Sequence, residues 1–304
     1  MPNPFETPGV WLRCALHAHT TNSDGELAPR LLVRHYERAG FDVLAITDHR
    51  VRTEEPSTEN LLVLPSTELD VRLEADRTAH VLGLGIAAEP AASTTELPTL
   101  GAAAAWITAN GGVGYLAHPY WSGIGVAELD GLDGLAGLEV YNAGCELETG
   151  RGLSVVHWDE ILESSPGCFA IAADDTHHPG FDSGFAWTWA RAAARSADAV
   201  LAALRDGASY SSTGPVIEEL HVDGRTVEVR CSPARRVTLL TGPRRGASVV
   251  AGKLGYRHAG DVLERDADGA IIVARLTAPA AAPYARLEVH DPSGATAWTN
   301  PLWH

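Results

Sequence analysis

Five short apolar segments of this chain are each followed directly by a histidine or a carboxylate residue. The segments occupy positions 14–16, 44–47, 62–67, 114–117 and 170–173. Apolar runs of this length are typical of strands that are buried on both faces, as in parallel sheets covered by helices. Parallel barrels place their functional side chains at the carboxyl ends of successive strands. The pattern therefore predicts an α/β fold with a cluster of polar side chains at one end of its strands.

Strand-like and helix-like segments alternate from about residue 11 to residue 190, which indicates largely parallel strands. Helices are expected at 29–39, 98–110, 157–164 and 197–205, the last of them capped by Ser196. Strands are expected at 12–16, 43–46, 61–66, 80–85, 113–117, 137–141 and 169–173, with an eighth candidate at 185–190. Seven or eight strands with helices between them favour a barrel over an open sheet.

His80 departs from a purely parallel scheme because it precedes its apolar run instead of following it. A hairpin of 68–73 with 79–84, turning at Ala75-Asp76-Arg77, would return His80 towards Glu68. We therefore predict one local antiparallel pair within the barrel.

The character of the sequence changes after Gly214. A hairpin is predicted from 217–222 and 226–231 around Asp223-Gly224, followed by short strands at 237–240, 247–250, 270–276 and 285–290. No convincing helical pattern occurs in this part. The sequence therefore predicts two domains, a barrel of residues 1–214 and a small all-β sandwich of residues 215–304.

Composition restricts the classes of partner and the compartment. The formal net charge of −16 argues against a broad electrostatic grip on nucleic acid, but it permits a small anionic substrate bound at metal ions. No apolar run approaches membrane-spanning length and no targeting segment is recognised, so a cytoplasmic protein is expected. The four cysteines include no Cys-x-x-Cys pair and are expected to be buried free thiols. The sequence leaves association into a homo-oligomer open.

The histidines and carboxylates offer the donor atoms that zinc, iron and manganese prefer. His17 and His19 flank one residue, so on a strand both imidazoles point to one face. A buried carboxylate must be paired or bind a metal, and Glu68, with two oxygens, is the candidate for bridging two ions. Asp48 is expected to orient a neighbouring ligand rather than to bind metal. His118 precedes a proline, which favours an extended backbone conformation.

Each donor also has a structural interpretation when it is considered alone. Asp24 precedes a glycine and could be a turn residue, and His49 could be a surface residue at a strand end. Asp175 and His177 share one face at positions i and i+2. The occurrence of all these residues together, in order along the chain, favours a polynuclear metal site.

The ordered set resembles the PHP family, named for the polymerase and histidinol phosphatase domain. The four motifs of that family correspond here to His17-Ala18-His19 with Ser23-Asp24-Gly25, to Thr47-Asp48-His49, to Ala117-His118-Pro119 and to Asp175-Thr176-His177, with Glu68 and His80 between them. The resemblance covers residues 11–214 and implies a distorted seven-stranded, TIM-like β/α barrel with two or three divalent ions, zinc, manganese or iron. It assigns one ion to His17, His19, Glu68 and Asp175, a second to Glu68, His80 and His118, and a third to Asp24, His49 and His177.

The resemblance also implies a metal-dependent phosphoesterase that acts on a small phosphorylated metabolite or nucleotide. A solvent molecule that bridges clustered divalent ions loses a proton near neutral pH and can attack a phosphoester in line. His178 is the candidate acid for the leaving group, and Arg151 is the candidate fork for the phosphate. Both residues have plainer interpretations, His178 as a neighbour of the ligands and Arg151 as a solvated loop residue.

Two other classes of function stay open at this point. The segments 137–142, 174–178 and 297–301 resemble the branch of the family that includes carbaryl-type carbamate hydrolases, which implies cleavage of a carbamate, amide or carboxylic ester at the same centre. An apolar pocket lined by Trp121, Trp187 or Trp189, without a nearby arginine, would favour that alternative. A metal-stabilised scaffold that serves a partner through the sandwich is the non-enzymatic alternative, and closed metal sites would indicate it.

Overall fold

The computed structural model describes residues 3–73, 77–90, 97–125, 128–129, 134–252 and 256–303. Its strands up to Gly214 are β1 (Val10–Ala15), β2 (Val43–Ile46), β3 (Leu62–Pro65), β4 (Thr67–Arg72), β5 (Thr78–Leu84), β6 (Val113–Leu116), β7 (Gly137–Asn142), β8 (Phe169–Ala173), β9 (Trp187–Ala192) and β10 (Ser209–Ser212). The helices are α1 (Pro29–Arg38), α2 (Leu100–Ala109), α3 (Ala143–Thr149), α4 (Val155–Ser164), α5 (Pro179–Asp182) and α6 (Ala197–Arg205).

The predicted helices form where their end signals occur. Pro29 opens α1 at its first turn, and the Ser196 hydroxyl accepts a hydrogen bond from Ala199 N at the start of α6. Helix α3 was not predicted from the sequence because its apolar pattern is short. Its ends nevertheless carry clear signals, because the Asn142 side chain caps Cys145 N and Gly150 adopts the left-handed conformation at the C-terminus.

The strands of the first part lie in two sheets. One sheet contains β1, β2 and β3 as parallel neighbours, and β9 joins it antiparallel to β1. The other has the order β4-β5-β6-β7-β8, with parallel pairing from β6 to β8. Strands β4 and β5 pair antiparallel with Asp70 opposite His80, so the predicted hairpin is confirmed, although Ala75 and Asp76 of its turn lie outside the described residues. The β5–β6 pair is antiparallel as well.

A closed barrel is not confirmed, because no strand ladder joins the two sheets among the described residues. Two isolated parallel bridges do link them, Ala18 with Thr176 and His49 with Glu68. Both bridges lie where strands end in the predicted donor residues. The eighth predicted strand, β9, does not continue the parallel series, since its antiparallel pairing with β1 and β10 carries the sheet outward.

The strands after Gly214 form two facing layers around an apolar core that includes Val227, Val237, Val249 and Leu287. These strands are β11 (Ile217–Asp223), β12 (Thr226–Ala234), β13 (Arg236–Leu240), β14 (Gly246–Val250), β15 (Tyr256–His258), β16 (Gly260–Arg265), β17 (Ile271–Thr277), β18 (Arg286–His290) and β19 (Thr296–Thr299). One layer is a separate sheet of order β11-β12-β17-β16. The other continues the sheet of the first part through the β10–β19 pair. The boundary at residue 214 stays a prediction.

Two further features concern the cysteines and the helices. All four cysteines are buried free thiols, as predicted. Within the described part of the chain, no helix has the length and apolar character needed to cross a membrane.

Candidate metal centre

The predicted donor residues lie together at one end of the N-terminal strands. They come from successive elements, His17 and His19 after β1, Asp24 in the loop beyond, His49 after β2, Glu68 within β4, His80 within β5, His118 after β6, and Asp175 and His177 after β8. The sequence places them there because the apolar residues of each strand are buried, so the polar residues that follow reach the rim together. His80 reaches the same rim because β5 runs antiparallel to β4.

Glu68 is the centre of this cluster and its side chain is only 1% exposed. Its Oε2 atom lies 3.2 Å from His17 Nε2 and 3.3 Å from His19 Nε2. Its Oε1 atom lies 3.0 Å from His80 Nδ1 and 3.3 Å from His118 Nε2. His49 Nδ1 also lies 3.4 Å from Oε2. Each carboxylate oxygen therefore faces a different set of imidazoles, which is the arrangement that a bridging carboxylate requires.

Asp175 completes the innermost group. Its Oδ1 atom lies 3.1 Å from His17 Nε2 and 3.2 Å from His19 Nε2. All three of these atoms are buried, and none of them has a hydrogen-bond partner. Buried polar atoms are almost always satisfied in folded proteins, so three that converge without partners fit a divalent cation.

A second group of donors lies nearer the surface. Asp24 Oδ1 is 3.5 Å from His177 Nε2, and Asp24 Oδ2 is 3.7 Å from His49 Nε2. His19, Asp24, His49 and His177 together offer ligand atoms that lie within 4.8 Å of one another. The same criterion joins His17, His19, Glu68 and Asp175, and also His49, Glu68 and His80. The donor types and their spacing suit divalent metal ions.

The electrostatics of the cluster agree with its donor types. Burial alone would raise the pKa of Glu68, but the imidazoles of His17 and His80 outweigh burial and hold that pKa well below its usual range. Burial would likewise lower the pKa of His19, yet the nearby carboxylates of Asp175 and Glu68 outweigh burial and bring it to about 9. The pKa values of His17 and His80 are also raised, by Asp175 and Glu68 respectively, against the effect of burial. The negative charges of Glu68 and Asp175 that cause these shifts would also favour a bound cation, which would displace the protons of the imidazoles.

Three side chains of the centre were missed in the sequence. Glu139 in β7 is buried, and its Oε1 lies 2.8 Å from His17 Nδ1 while its Oε2 accepts from His118 N at 2.9 Å. Asn142 Nδ2 donates to Glu139 Oε2 and to Asp175 Oδ2. Asp70, which lies in β4, contacts the imidazoles of His49 and His80. A carboxylate and an amide within the apolar segment 137–142 were the signal for Glu139 and Asn142.

Two of the donors have left-handed backbone conformations, with φ of 27° at His118 and 57° at Asp175. The extended conformation expected for His118 is therefore wrong. The hydrogen bond from its backbone N–H to the buried Glu139 carboxylate accounts for the departure, because it holds the peptide where the residue before a proline rarely lies. Such strain persists only where the surrounding structure enforces it, and it is concentrated at functional sites.

Asp48 lies beside the donors and contacts none of their imidazoles. It is buried and accepts hydrogen bonds from Thr20 N and Thr20 Oγ1, both at 2.7 Å, and from the hydroxyls of Ser23 and Thr53. Ser23 in turn lies 3.1 Å from Asp24 Oδ1 and 3.4 Å from His19 Nδ1. Asp48 thus anchors the loop that carries Asp24. Its predicted role in orienting a metal ligand stays a prediction.

A cavity of about 420 Å³ opens above the donors. Its wall includes the apolar side chains of Trp121, Leu147 and Phe181, and none of the lining residues that the structure describes is an arginine or a lysine. Phe181 is 71% exposed at the rim. The sites of cofactors and small ligands commonly have volumes of roughly 300–1,000 Å³, so the opening fits a small molecule.

The remaining predicted residues lie at different distances from this cavity. His178 lines it with a side chain that is 66% exposed and lies 3.5 Å from Glu26. Arg151 is not among the lining residues, and its guanidinium lies 5.7 Å from the ring centroid of Tyr120. Its role as a phosphate fork stays a prediction without a contact to the donors.

Two of the three tryptophans considered for the pocket lie elsewhere. The ring of Trp187 packs beneath the guanidinium of Arg13 at 3.8 Å, and Trp189 stacks on Tyr210. Neither residue is among the described residues that line the cavity, so neither supports the carbamate alternative. Trp121 does line it, with its ring centroid 5.0 Å from that of His118.

No family model matches this chain, and no curated protein matches it either. Among solved structures, the chain is similar to a two-domain protein from Bacteroides vulgatus described as containing a predicted PHP-like metal-dependent phosphoesterase. The two are 15% identical with a TM-score of 0.54, and the similarity covers 97% of this chain and 96% of that chain. The fold is therefore shared over nearly the whole length of both proteins, whereas the PHP resemblance of the motifs covered residues 11–214.

Two more distant structures are similar to part of the chain. An amidohydrolase from Chromobacterium violaceum with bound sulfate and no metal is 19% identical, with a TM-score of 0.41, over 56% of this chain and 89% of that chain. A protein from Bifidobacterium adolescentis named as a metal-dependent phosphoesterase is 16% identical, with a TM-score of 0.41, over 56% of this chain and 90% of that chain.

Proposed function

We propose that this chain is a metal-dependent hydrolase that cleaves a small ester substrate, with phosphoesters as the first candidate class. The observation that carries the proposal is the position of Glu68, whose two oxygens face two separate sets of imidazoles. The three buried atoms of His17, His19 and Asp175 that converge without partners support it. An open cavity above the donors favours catalysis over a structural role, because structural metal sites are closed.

The centre would hold two or three divalent ions, zinc, manganese or iron. His17, His19, Glu68 and Asp175 would hold the first, Glu68, His80 and His118 the second, and Asp24, His49 and His177 the third. When bound, such ions supply a Lewis-acidic centre that polarises a substrate and lowers the pKa of bound water. We also propose a distorted barrel as the support, since the bridges Ala18–Thr176 and His49–Glu68 connect the two sheets at the end that carries the donors.

The chain's own residues would orient the ligands and move one proton. Glu139, which lies 2.8 Å from His17 Nδ1, would fix the tautomer of that ring so that Nε2 stays free for a cation. Asp48 would hold the loop of Asp24 through Ser23 and Thr20. His178, which lines the cavity with an exposed side chain, is the proposed acid for the leaving group, since a ring N–H at that position can donate to a substrate bound above the donors.

The cavity wall supports a second candidate, a hydrolase of carbamates, amides or carboxylic esters. A phosphate is commonly held by arginine or lysine side chains, and the described lining residues contain neither. The apolar surfaces of Trp121, Leu147 and Phe181 would instead accept an uncharged organic group. In both cases the proposed partner is a small molecule, whereas nucleic acid is not expected to bind.

The two candidates can be separated with the purified protein loaded with manganese, zinc or iron. Phosphate monoesters and diesters are assayed for phosphate release, and aryl carbamates and esters for release of the phenol, with and without a chelator. Metal-dependent turnover of either class supports hydrolysis and identifies the bond. Loaded protein that turns over neither class, although it binds the metal, would contradict the proposal.

Two variants make the test specific. Glu68→Gln keeps the side-chain volume and is expected to abolish turnover, while Asp223→Asn, at an exposed end of β11, is the matched control that keeps it. Trp121→Ala is expected to raise KM for an aryl substrate several-fold with little change in kcat, because it removes wall area without touching the donors' ligand atoms.

A further inference from the structure

Asp70 is a carboxylate at the edge of the donor cluster with no role in the proposed ion groups. It lies two residues after Glu68 on β4, so both side chains project from the same face of that strand. The β4–β5 register places Asp70 directly opposite His80. The bridge between His49 and Glu68 brings a second imidazole to the same place. One carboxylate therefore lies beside donors that come from two other strands.

The contacts of Asp70 involve one nitrogen of each imidazole. Its Oδ1 atom lies 3.4 Å from His80 Nε2, while His80 Nδ1 faces Glu68 Oε1 at 3.0 Å. The same Oδ1 atom lies 3.1 Å from His49 Nδ1, while His49 Nε2 faces Asp24 Oδ2 at 3.7 Å. In each ring the nitrogen nearest Asp70 is not the one that faces the carboxylate of its proposed ion group, which is Glu68 for His80 and Asp24 for His49. His49 Nδ1 also lies 3.4 Å from Glu68 Oε2, so Asp70 and Glu68 share that nitrogen while Nε2 faces Asp24.

This arrangement matches the way in which metal-binding histidines are usually oriented. Such a histidine gives the N–H of its second ring nitrogen to a carboxylate or a carbonyl, which fixes the tautomer and the direction of the ring. Glu139 has this geometry towards His17 within the same centre. Asp70 has it towards two rings at once, and Arg50 Nη1 holds its backbone carbonyl at 3.0 Å. Asp70 is 26% exposed, so solvent does not dominate these contacts.

We infer that Asp70 is a positioning residue that orients His49 and His80 for metal binding and thereby couples the second and third ion groups. The inference rests on the proposed function, since it requires that the centre binds metal. Because one carboxylate orients a donor of each group, its removal weakens both of those groups and leaves the group of His17, His19 and Asp175 intact. Loss of an orienting partner of this kind typically weakens metal binding by about 10- to 100-fold.

The test uses cobalt(II) and manganese(II) alone as probes, with the full-length Asp70→Ala and Asp70→Asn variants. Binding stoichiometry and affinity are measured by equilibrium dialysis, and the cobalt-loaded proteins are compared by their visible absorption spectra. The alanine variant is expected to bind the weaker ions about 10- to 100-fold less tightly, with an altered cobalt spectrum. The asparagine variant is expected to lose less, because its amide oxygen can still accept from an imidazole N–H.

Asp223→Asn and Asp223→Ala are the matched controls, and both are expected to bind as the unmodified protein does. Circular dichroism of the metal-free variants shows whether they are folded, and the asparagine variant keeps the test decisive if the alanine variant is not. Wild-type affinity and an unchanged cobalt spectrum in both Asp70 variants would overturn the inference alone. An unmodified protein that binds neither metal would overturn the proposed function and the inference together.

Discussion

Replacing Arg286 by methionine removes a cation that lies fully inside the protein between α4 and β18. Its Nε donates to Asp159 Oδ1 at 2.8 Å, and its Nη1 donates to Glu288 Oε1 at 2.7 Å. The guanidinium also lies 4.7 Å from the ring centroid of Trp158. Methionine fills a similar volume but removes the guanidinium from both carboxylates, and Glu288 keeps only its contact with His290 Nε2 at 3.0 Å.

Two considerations set the expected loss of stability. Breaking a buried ion pair by removal of one partner typically costs about 3–5 kcal/mol, because a buried charge is left unpaired. Burial would raise the pKa of Glu288, but His290 and Arg286 outweigh burial and bring it from 4.5 to about 2. A depression of that size corresponds to about 3 kcal/mol, of which Arg286 supplies part. We expect the free energy of unfolding to fall by about 3 kcal/mol at pH 7.

The same network predicts how the loss in the free energy of unfolding depends on pH. The folded pKa of Glu288 is depressed, so its contribution to stability is present above pH 4.5 and is lost as the pH falls towards 2. The unmodified protein therefore gives up this contribution in acid, whereas the variant has already lost the part that Arg286 supplies. The difference between the two proteins is expected to be largest at neutral pH and to shrink below about pH 4.5.

Urea unfolding at several pH values, followed by circular dichroism, measures this difference. Arg275→Met is the matched control, because Arg275 makes a comparable contact with Glu228 at 2.8 Å on the surface. An exposed pair contributes about 0–1 kcal/mol, so the control is expected to unfold nearly as the unmodified protein does. A loss below about 1 kcal/mol for Arg286→Met, or a loss that grows in acid, would refute the reasoning.

Three further predictions concern the centre and its supporting strands. Glu68→Gln is expected to weaken metal binding by more than about 100-fold in equilibrium dialysis, since it removes the charge between five imidazoles, and unchanged affinity would contradict the bridging role. Zinc binding at pH 7 is expected to release protons, because the pKa of His19 is about 9 and that of His17 is raised. Calorimetry in buffers of different ionisation enthalpy detects this proton release. The release must disappear well above pH 9. Gly137→Ala is expected to destabilise the protein by about 3 kcal/mol or more in urea, because a Cβ there would overlap the backbone of Phe169 in the next strand. The control for that variant is Gly101→Ala in α2, where a Cβ meets no atom within 4 Å and a gain of up to about 1 kcal/mol is expected.

The sequence was informative about the donors because their positions follow a local rule. Apolar segments predict buried strands, and polar residues directly after such strands must emerge at the rim, so Glu68 and His118 could be assigned to one end of the fold. The hairpin that returns His80 to Glu68 followed from the order of its polar and apolar residues. The identity of these residues, the strand face on which they lie and their order along the chain can all be deduced without the tertiary structure.

The partners of the donors were not readable in the same way, because they depend on pairing between distant segments. Glu139 meets His17 across 122 positions of sequence, and Asp70 meets His80 only through the register of β4 and β5. The left-handed conformation of His118 opposed the local preference before proline, since a tertiary hydrogen bond to Glu139 was stronger than that preference.

The sequence by itself determined which residues offer atoms that suit a metal ion and which end of the strands presents them. Only the tertiary structure decided which carboxylate meets which imidazole, that β9 leaves the parallel series, and that one sheet continues from the first part into the second. The physical reason is the distance along the chain over which the determining interactions act. Side-chain periodicity and strand length are set by neighbours along the chain, whereas register and sheet order are set by long-range hydrogen bonds and by the burial of apolar surface.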